Sequence, residues 1–316
     1  MLKSPLNAGL FLFTDKRRPE MSDEVMTAEE LKAMEEAMAA FLEEFRNPSR
    51  CDGANLRASV FPEKYHAVER ELKAGRFMTT IEPEKETKKH IFLLHGGGFE
   101  LEASMHCNVM MDLADRGFRV TAYDYPLAPE HQYKEINEAV YNAFKEFKTY
   151  YPDDKIALMG DSCGTSLSLT LMMRLRDEGD ESRPKVAVWP SPAVDMAMDS
   201  PLMPIYEKND PSLKLEVLYL CSERYAPERN WKDPLVSPYY AEDMSNLGDL
   251  FIYYSSVEVL RPDTEAFIKK VASFEGNTVK IHMCDGLFHD YVLQNELPES
   301  VFILDETAAF LNGKLD

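Results

Sequence analysis

The stretch Lys155-Ile156-Ala157-Leu158-Met159-Gly160-Asp161-Ser162-Cys163-Gly164 decides the fold. Lys155–Met159 is an apolar run of strand length, and Ser162–Arg176 is an apolar segment of helix length. Between them sits G-x-S-x-G, a serine with a glycine two residues to either side. A strand that turns at once into a helix needs small residues, because the chain passes close to itself there. Such a turn lifts the serine hydroxyl above the sheet edge. It also sets the unpaired N–H groups of a helix start beside that hydroxyl. A serine hydroxyl alone is a weak nucleophile, so the reading requires a base elsewhere in the chain.

Upstream, Ile91–Leu94 is another continuous apolar run, followed by His95-Gly96-Gly97-Gly98. Consecutive glycines expose backbone amides with no side chain in the way. An oxyanion formed in acyl transfer needs two or three such donors fixed in advance. Gly96, Gly97 and Cys163 are the candidate donors. A phosphate-cradling loop would need the G-K-[ST] ending or the G-x-G-x-x-G spacing, and neither is present.

Further strands are predicted at Leu56–Val60, Arg76–Ile81, Phe118–Tyr123, Lys185–Trp189, Leu250–Tyr254 and Thr278–Met283. Helices are predicted at Tyr133–Tyr150, around Asp263–Phe274 and at Glu299–Leu311. Strands alternate with helices from about residue 88 onward, which implies an α/β fold with a mostly parallel sheet covered on both faces. Asp195 to about Leu247 breaks the pattern: it has no good strand, frequent prolines, and helical spacing over Leu213–Tyr225. Near the start, Thr27-Ala-Glu-Glu30 has a capping-box pattern, and an apolar stripe runs from Leu31 to Phe45. The expected organisation is a helical cap from residues 1–55 and 196–245 over a core of 56–195 and 246–316. Ligands bind outside the carboxyl ends of such strands, so a cap there would shape the pocket.

His95-Gly96-Gly97-Gly98-Phe99, Tyr125-Pro126-Leu127-Ala128-Pro129-Glu130-His131 and Gly160-Asp161-Ser162-Cys163-Gly164 together resemble the hormone-sensitive-lipase group of α/β-hydrolases. The resemblance runs from about Lys88 to the C-terminus and more loosely through the N-terminal segment. It implies a carboxylesterase or lipase acting on short- or medium-chain acyl esters, with no metal or cofactor. It also implies homodimerisation through the last strand. The order of residues in this fold is Ser, acid, His. Of the seven histidines only His282 and His289 follow Ser162. His282 falls inside a predicted strand, whereas His289 falls in the loop after it and matches the family's ending with Gly286, so His289 is the expected base. The family's acid-bearing stretch corresponds to Ser256-Val257-Glu258-Val259-Leu260-Arg261-Pro262-Asp263. Its first acidic position is Glu258, a glutamate where aspartate is commoner. Asp263 is the alternative, and is read first as a helix cap. Thr165, Glu100 and Glu102 also depart from the usual pattern. The motif leaves ester and amide cleavage both open, and a ligand-binding relative that has lost catalysis is a third class.

The 316 residues carry 35 Lys and Arg against 55 Asp and Glu, a formal charge of −20, which argues against nucleic acid as a partner. No apolar run approaches the roughly 18 residues of a membrane span. The opening residues lack the pattern of a secretory leader. Five widely spaced cysteines without C-x-x-C predict reduced thiols, a cytoplasmic setting and no zinc site.

Overall fold

A computed structural model describes residues 56–316 apart from Ala74 and Ser104. The expected N-terminal helix, and with it the 1–55 part of the cap, lies outside the described residues.

Eight strands form one sheet: β1 (Val68–Glu71), β2 (Phe77–Ile81), β3 (Lys89–Leu94), β4 (Arg119–Asp124), β5 (Lys155–Gly160), β6 (Val186–Pro190), β7 (Gly248–Ser255) and β8 (Asn277–Cys284). Their spatial order is β1-β2-β4-β3-β5-β6-β7-β8. β1 pairs antiparallel with β2, and β2 antiparallel with β4; every later pairing is parallel. The helices are α1 (His106–Asp115), α2 (Tyr133–Tyr150), α3 (Cys163–Asp177), α4 (Met203–Tyr206), α5 (Leu215–Tyr225), α6 (Arg261–Ala272) and α7 (Pro298–Leu315).

The sheet is covered on both faces, as parallel sheets are. Successive side chains of a strand point to opposite faces. Phe92 and Leu94 of β3 join one core with Phe144 and Phe147 of α2 and Leu167 of α3. Ile91 and Leu93 join the other with Val109 and Leu113 of α1 and Ile303 and Leu311 of α7. α2 occupies the predicted range, and its stripe Ile136, Val140, Ala143, Phe144 and Phe147 is buried. Each of the larger of these side chains contributes roughly 1.5–3 kcal/mol by leaving water.

β3 is where the strand order reverses. The chain leaves β3 for β4 on one side, then crosses back to place β5 on the other. A ligand crevice opens outside the strand ends at such a point. Leu94 and Gly160, the last residues of β3 and β5, are register partners, so the loops that follow emerge side by side.

Two expectations are corrected. Leu56–Val60 is not a strand: Ala58–Val60 is a 3-10 turn, a second follows at Glu63–Tyr65, and β1 comes only after it, its largely charged Val-Glu-Arg-Glu sequence exposed or half-buried and giving little apolar signal. Cys107 on α1 is disulfide-bonded, so not every thiol is reduced; Cys163, Cys221 and Cys284 are free. Among the described residues no helix is long and apolar enough to cross a membrane. No metal-competent group of His, Cys, Asp and Glu occurs among them either.

Candidate active site

Ser162 sits between β5 and α3 at φ 47°, ψ −125°, a conformation costing on the order of 1–3 kcal/mol for a residue with a side chain. Its neighbours hold it there. The Ser162 amide donates to the Pro190 carbonyl at 3.1 Å, and its carbonyl accepts from Ala193 N at 3.0 Å. Thr165, the unusual residue after the second glycine, donates its hydroxyl to the Gly160 carbonyl at 2.6 Å. The two glycines are required by space. A Cβ on Gly160 would lie 2.4 Å from the Gly164 oxygen, and one on Gly164 would lie 2.1 Å from the Leu94 oxygen.

The glycine loop crosses in front of this turn. The Gly96 amide, expected to face an oxyanion, instead donates to Asp161 Oδ2 at 3.0 Å. That carboxylate also meets His106 Nε2 from α1 at 3.0 Å. The Gly96 amide is therefore taken up within the protein. Among the described residues the amides of Gly97, Gly98 and Cys163 donate to no acceptor. The Cys163 sulfur accepts the Phe99 amide at 3.2 Å and ties the loop to the start of α3. Burial pushes the thiols of Cys163 and Cys221 up, the former to about 12. From the other side α5 grips the same loop. Phe99 stacks on Tyr225 with ring centres 3.6 Å apart, and Arg224 pairs with Glu100 at 2.6 Å. Glu100 is thus an anchor rather than a solvent-facing carboxylate, whereas the Glu102 side chain is 50% exposed beside Arg76.

β7 and β8 end in register at Ser255 and Cys284. The loops beyond them bring Glu258 and His289 together. Glu258 is fully buried; its Oε1 accepts the Ser255 amide at 3.0 Å, and its Oε2 lies 2.9 Å from His289 Nδ1. Asp263 stands in the first turn of α6, inside the helix rather than capping it. Burial, reinforced by Asp195 and Asp199, pushes its carboxyl up to about 8, and among the described residues it shares no hydrogen bond or ion pair with His289, whose side chain meets Glu258 and Asp290. His282 lies on β8 against Phe302.

Ser162, Cys163, His289, Gly96, Gly97 and Gly98 line one cavity. No hydrogen bond joins the Ser162 hydroxyl to His289 among the described residues. The second imidazole nitrogen instead lies 3.1 Å from Asp290 Oδ2. Sequence reasoning missed Asp290. The walls are mostly apolar and include Met196, Met198, Leu213 and Leu218, from the segment that carries no strand.

A strand-order reversal, a strained serine between strand and helix, and an imidazole and carboxylate from later loops define the class as an α/β-hydrolase. Residues 91–293 match the family described as the alpha/beta hydrolase fold. The chain is 31% identical over 260 residues to an esterase of Acinetobacter venetianus, covering 79% of this chain and 84% of that one. It is 28% identical over 235 residues to an acetyl-hydrolase of Streptomyces hygroscopicus, covering 73% and 78%. It also superposes on the crystal structure of an esterase from the bacterial hormone-sensitive lipase family. That match has a TM-score of 0.75 and 23% identity, and covers 92% of this chain and 100% of that one. The chain belongs to the α/β-hydrolase fold family, the one its motifs resemble.

Proposed function

We propose that this chain hydrolyses short- to medium-chain acyl esters, with Ser162 as nucleophile, His289 as base and Glu258 as orienting acid. It is a carboxylic ester hydrolase of the hormone-sensitive-lipase-like kind. The observation carrying the finer reading is the shared cavity: Ser162, His289, Gly97, Gly98 and Cys163 all line it, and among the described residues the amides of the last three have no acceptor. Ser162 Oγ attacks the ester carbonyl while His289 Nε2 takes its proton. The three amides hold the negative oxygen of the tetrahedral intermediate. His289 then protonates the leaving alcohol, and an acyl-serine remains. Water attacks that ester, again with His289 as base, and the acid and Ser162 are released. Glu258 fixes the imidazole through Nδ1 and stabilises the imidazolium.

Residues 196–245 act as part of a cap, supported by Met196, Met198, Leu213 and Leu218 on the cavity wall. Their apolar side chains suit an acyl chain. The enzyme works as a homodimer through β8. Among the described residues that edge strand has one unpaired side, and it carries exposed Ile281 and Met283.

Turnover of p-nitrophenyl esters from acetate to laurate by wild type and Ser162→Ala tests this reading. The wild type should favour the shorter chains, and Ser162→Ala should lose turnover and labelling by a fluorophosphonate. Retention of most turnover on the acetate ester by Ser162→Ala would remove the nucleophile assignment. Matched acetyl esters and acetamides separate esterase from amidase.

A further inference from the structure

Resting on His289 as the base, we propose that Asp290 is a positioning residue that occupies His289 Nε2 in the unliganded enzyme. By doing so it sets the pH at which the enzyme switches on.

The geometry is that of an imidazole held between two carboxylates. Glu258 Oε2 lies 2.9 Å from Nδ1, and Asp290 Oδ2 lies 3.1 Å from Nε2. Nε2 is the nitrogen that must accept the serine proton. The Asp290 side chain is 11% exposed and lines the same cavity as Ser162. Its Oδ1 is shielded from solvent and has no hydrogen-bond partner among the described residues. The backbone fixes its direction. Asp290 sits at φ 53°, ψ 36°, a left-handed conformation that Asp, Asn and Gly tolerate best. Its amide donates to Ser191 Oγ at 3.1 Å.

Other charged groups face the pair from each packed element. Asp161 approaches from the turn before α3, itself held by His106 of α1. Glu258 approaches from the loop after β7. Glu102 and Lys214 stand on the cavity wall. Burial disfavours a charged imidazole, but Asp290 and Glu258 outweigh it and hold His289 well above the usual imidazole range. Burial pushes the Asp290 carboxyl up in turn, with Asp161 adding to it and His289 opposing it. At 3.1 Å, Nε2 and Oδ2 can hold one proton between them. Whichever of them carries it, Nε2 is engaged and cannot receive the proton of Ser162. A productive site needs that proton gone and the carboxylate turned aside.

The sign follows. A base works in its neutral form, so a raised imidazole pKa removes activity as pH falls through it. Removing the Asp290 charge should lower that pKa and move the acid limb of the pH profile down. The experiment is the pH dependence of kcat/KM on p-nitrophenyl acetate for wild type, Asp290→Asn and Asp290→Gly; both replacements accept the left-handed backbone. The expected result is an acid limb shifted down by about one pH unit or more, which is roughly a tenfold gain well below the wild-type limb. Histidine-ring NMR titration in the Ser162→Ala background should show His289 moving the same way. An unmoved limb and an unmoved titration overturn the proposal, as does a loss of rate at every pH with no shift. His289→Gln separates the two readings. If that variant stays active, the base assignment fails; if it is inactive while the Asp290 variants keep the wild-type limb, only the role of Asp290 fails.

Discussion

Glu258 is one methylene longer than the aspartate usual at such a position, and the fold absorbs the extra length. Its far oxygen is held by the Ser255 amide, so its near oxygen reaches the imidazole at 2.9 Å. Glu258→Gln keeps the shape but presents an amide to Nδ1 and favours the wrong tautomer. It should lower kcat by about 10²–10⁴-fold with KM changed little. A Glu258→Gln enzyme with near-normal kcat, beside an inactive Asp263→Asn enzyme, would transfer the role to Asp263. That Glu258 rather than Asp263 meets the imidazole was readable from the resemblance and from helix grammar, since Asp263 falls where a helix begins. Asp290 was not readable. It is one more acidic residue in a loop, and only a backbone turn at positive φ aims it back at its neighbour. Gly96 misled for a related reason: sequence shows that a glycine has a free amide, but not that Asp161 has claimed it.

At the scale of elements, the turn that presents Ser162 depends on contacts too close for any side chain. Gly164→Ala would drive a methyl group into the Leu94 carbonyl of the neighbouring strand. The variant should lose about 1–3 kcal/mol or more in urea unfolding, with activity lost alongside. An unchanged denaturation midpoint would mean that α3 can slide away from β3. The buried strands and α2 were legible because burial on both faces or on one stripe imposes a pattern on the sequence. β1 was illegible because an edge strand faces water and needs no such pattern; backbone pairing with β2 alone makes it a strand. β8 lies at the opposite edge, yet a strand was predicted there at Thr278–Met283, and Val279 packs against the core.

At the scale of the whole molecule, β8 ends the sheet with Ile281 and Met283 exposed, and α7 beside it exposes Val301 and Phe302. An edge of this kind pairs readily with another copy. Ile281→Lys should shift the proposed dimer to monomer in sedimentation experiments while leaving the fold intact. A wild type that sediments as a monomer at all concentrations would sink the dimer. Each chain carries a formal charge of −20, so two copies repel. That repulsion is screened over about 10 Å at 0.1 M salt but reaches roughly 30 Å at 0.01 M. Association should therefore weaken as salt is withdrawn. Finally, the sulfur that ties the glycine loop to α3 and that of its neighbour Cys221 are buried at the wall of the cavity, and neither thiol is ionised near neutrality, so both are poor nucleophiles toward a reagent that enters. Alkylating reagents would pass them by in the intact protein and mark them once the body opens, so the pace of labelling at these two positions becomes a clock for how often the molecule comes apart.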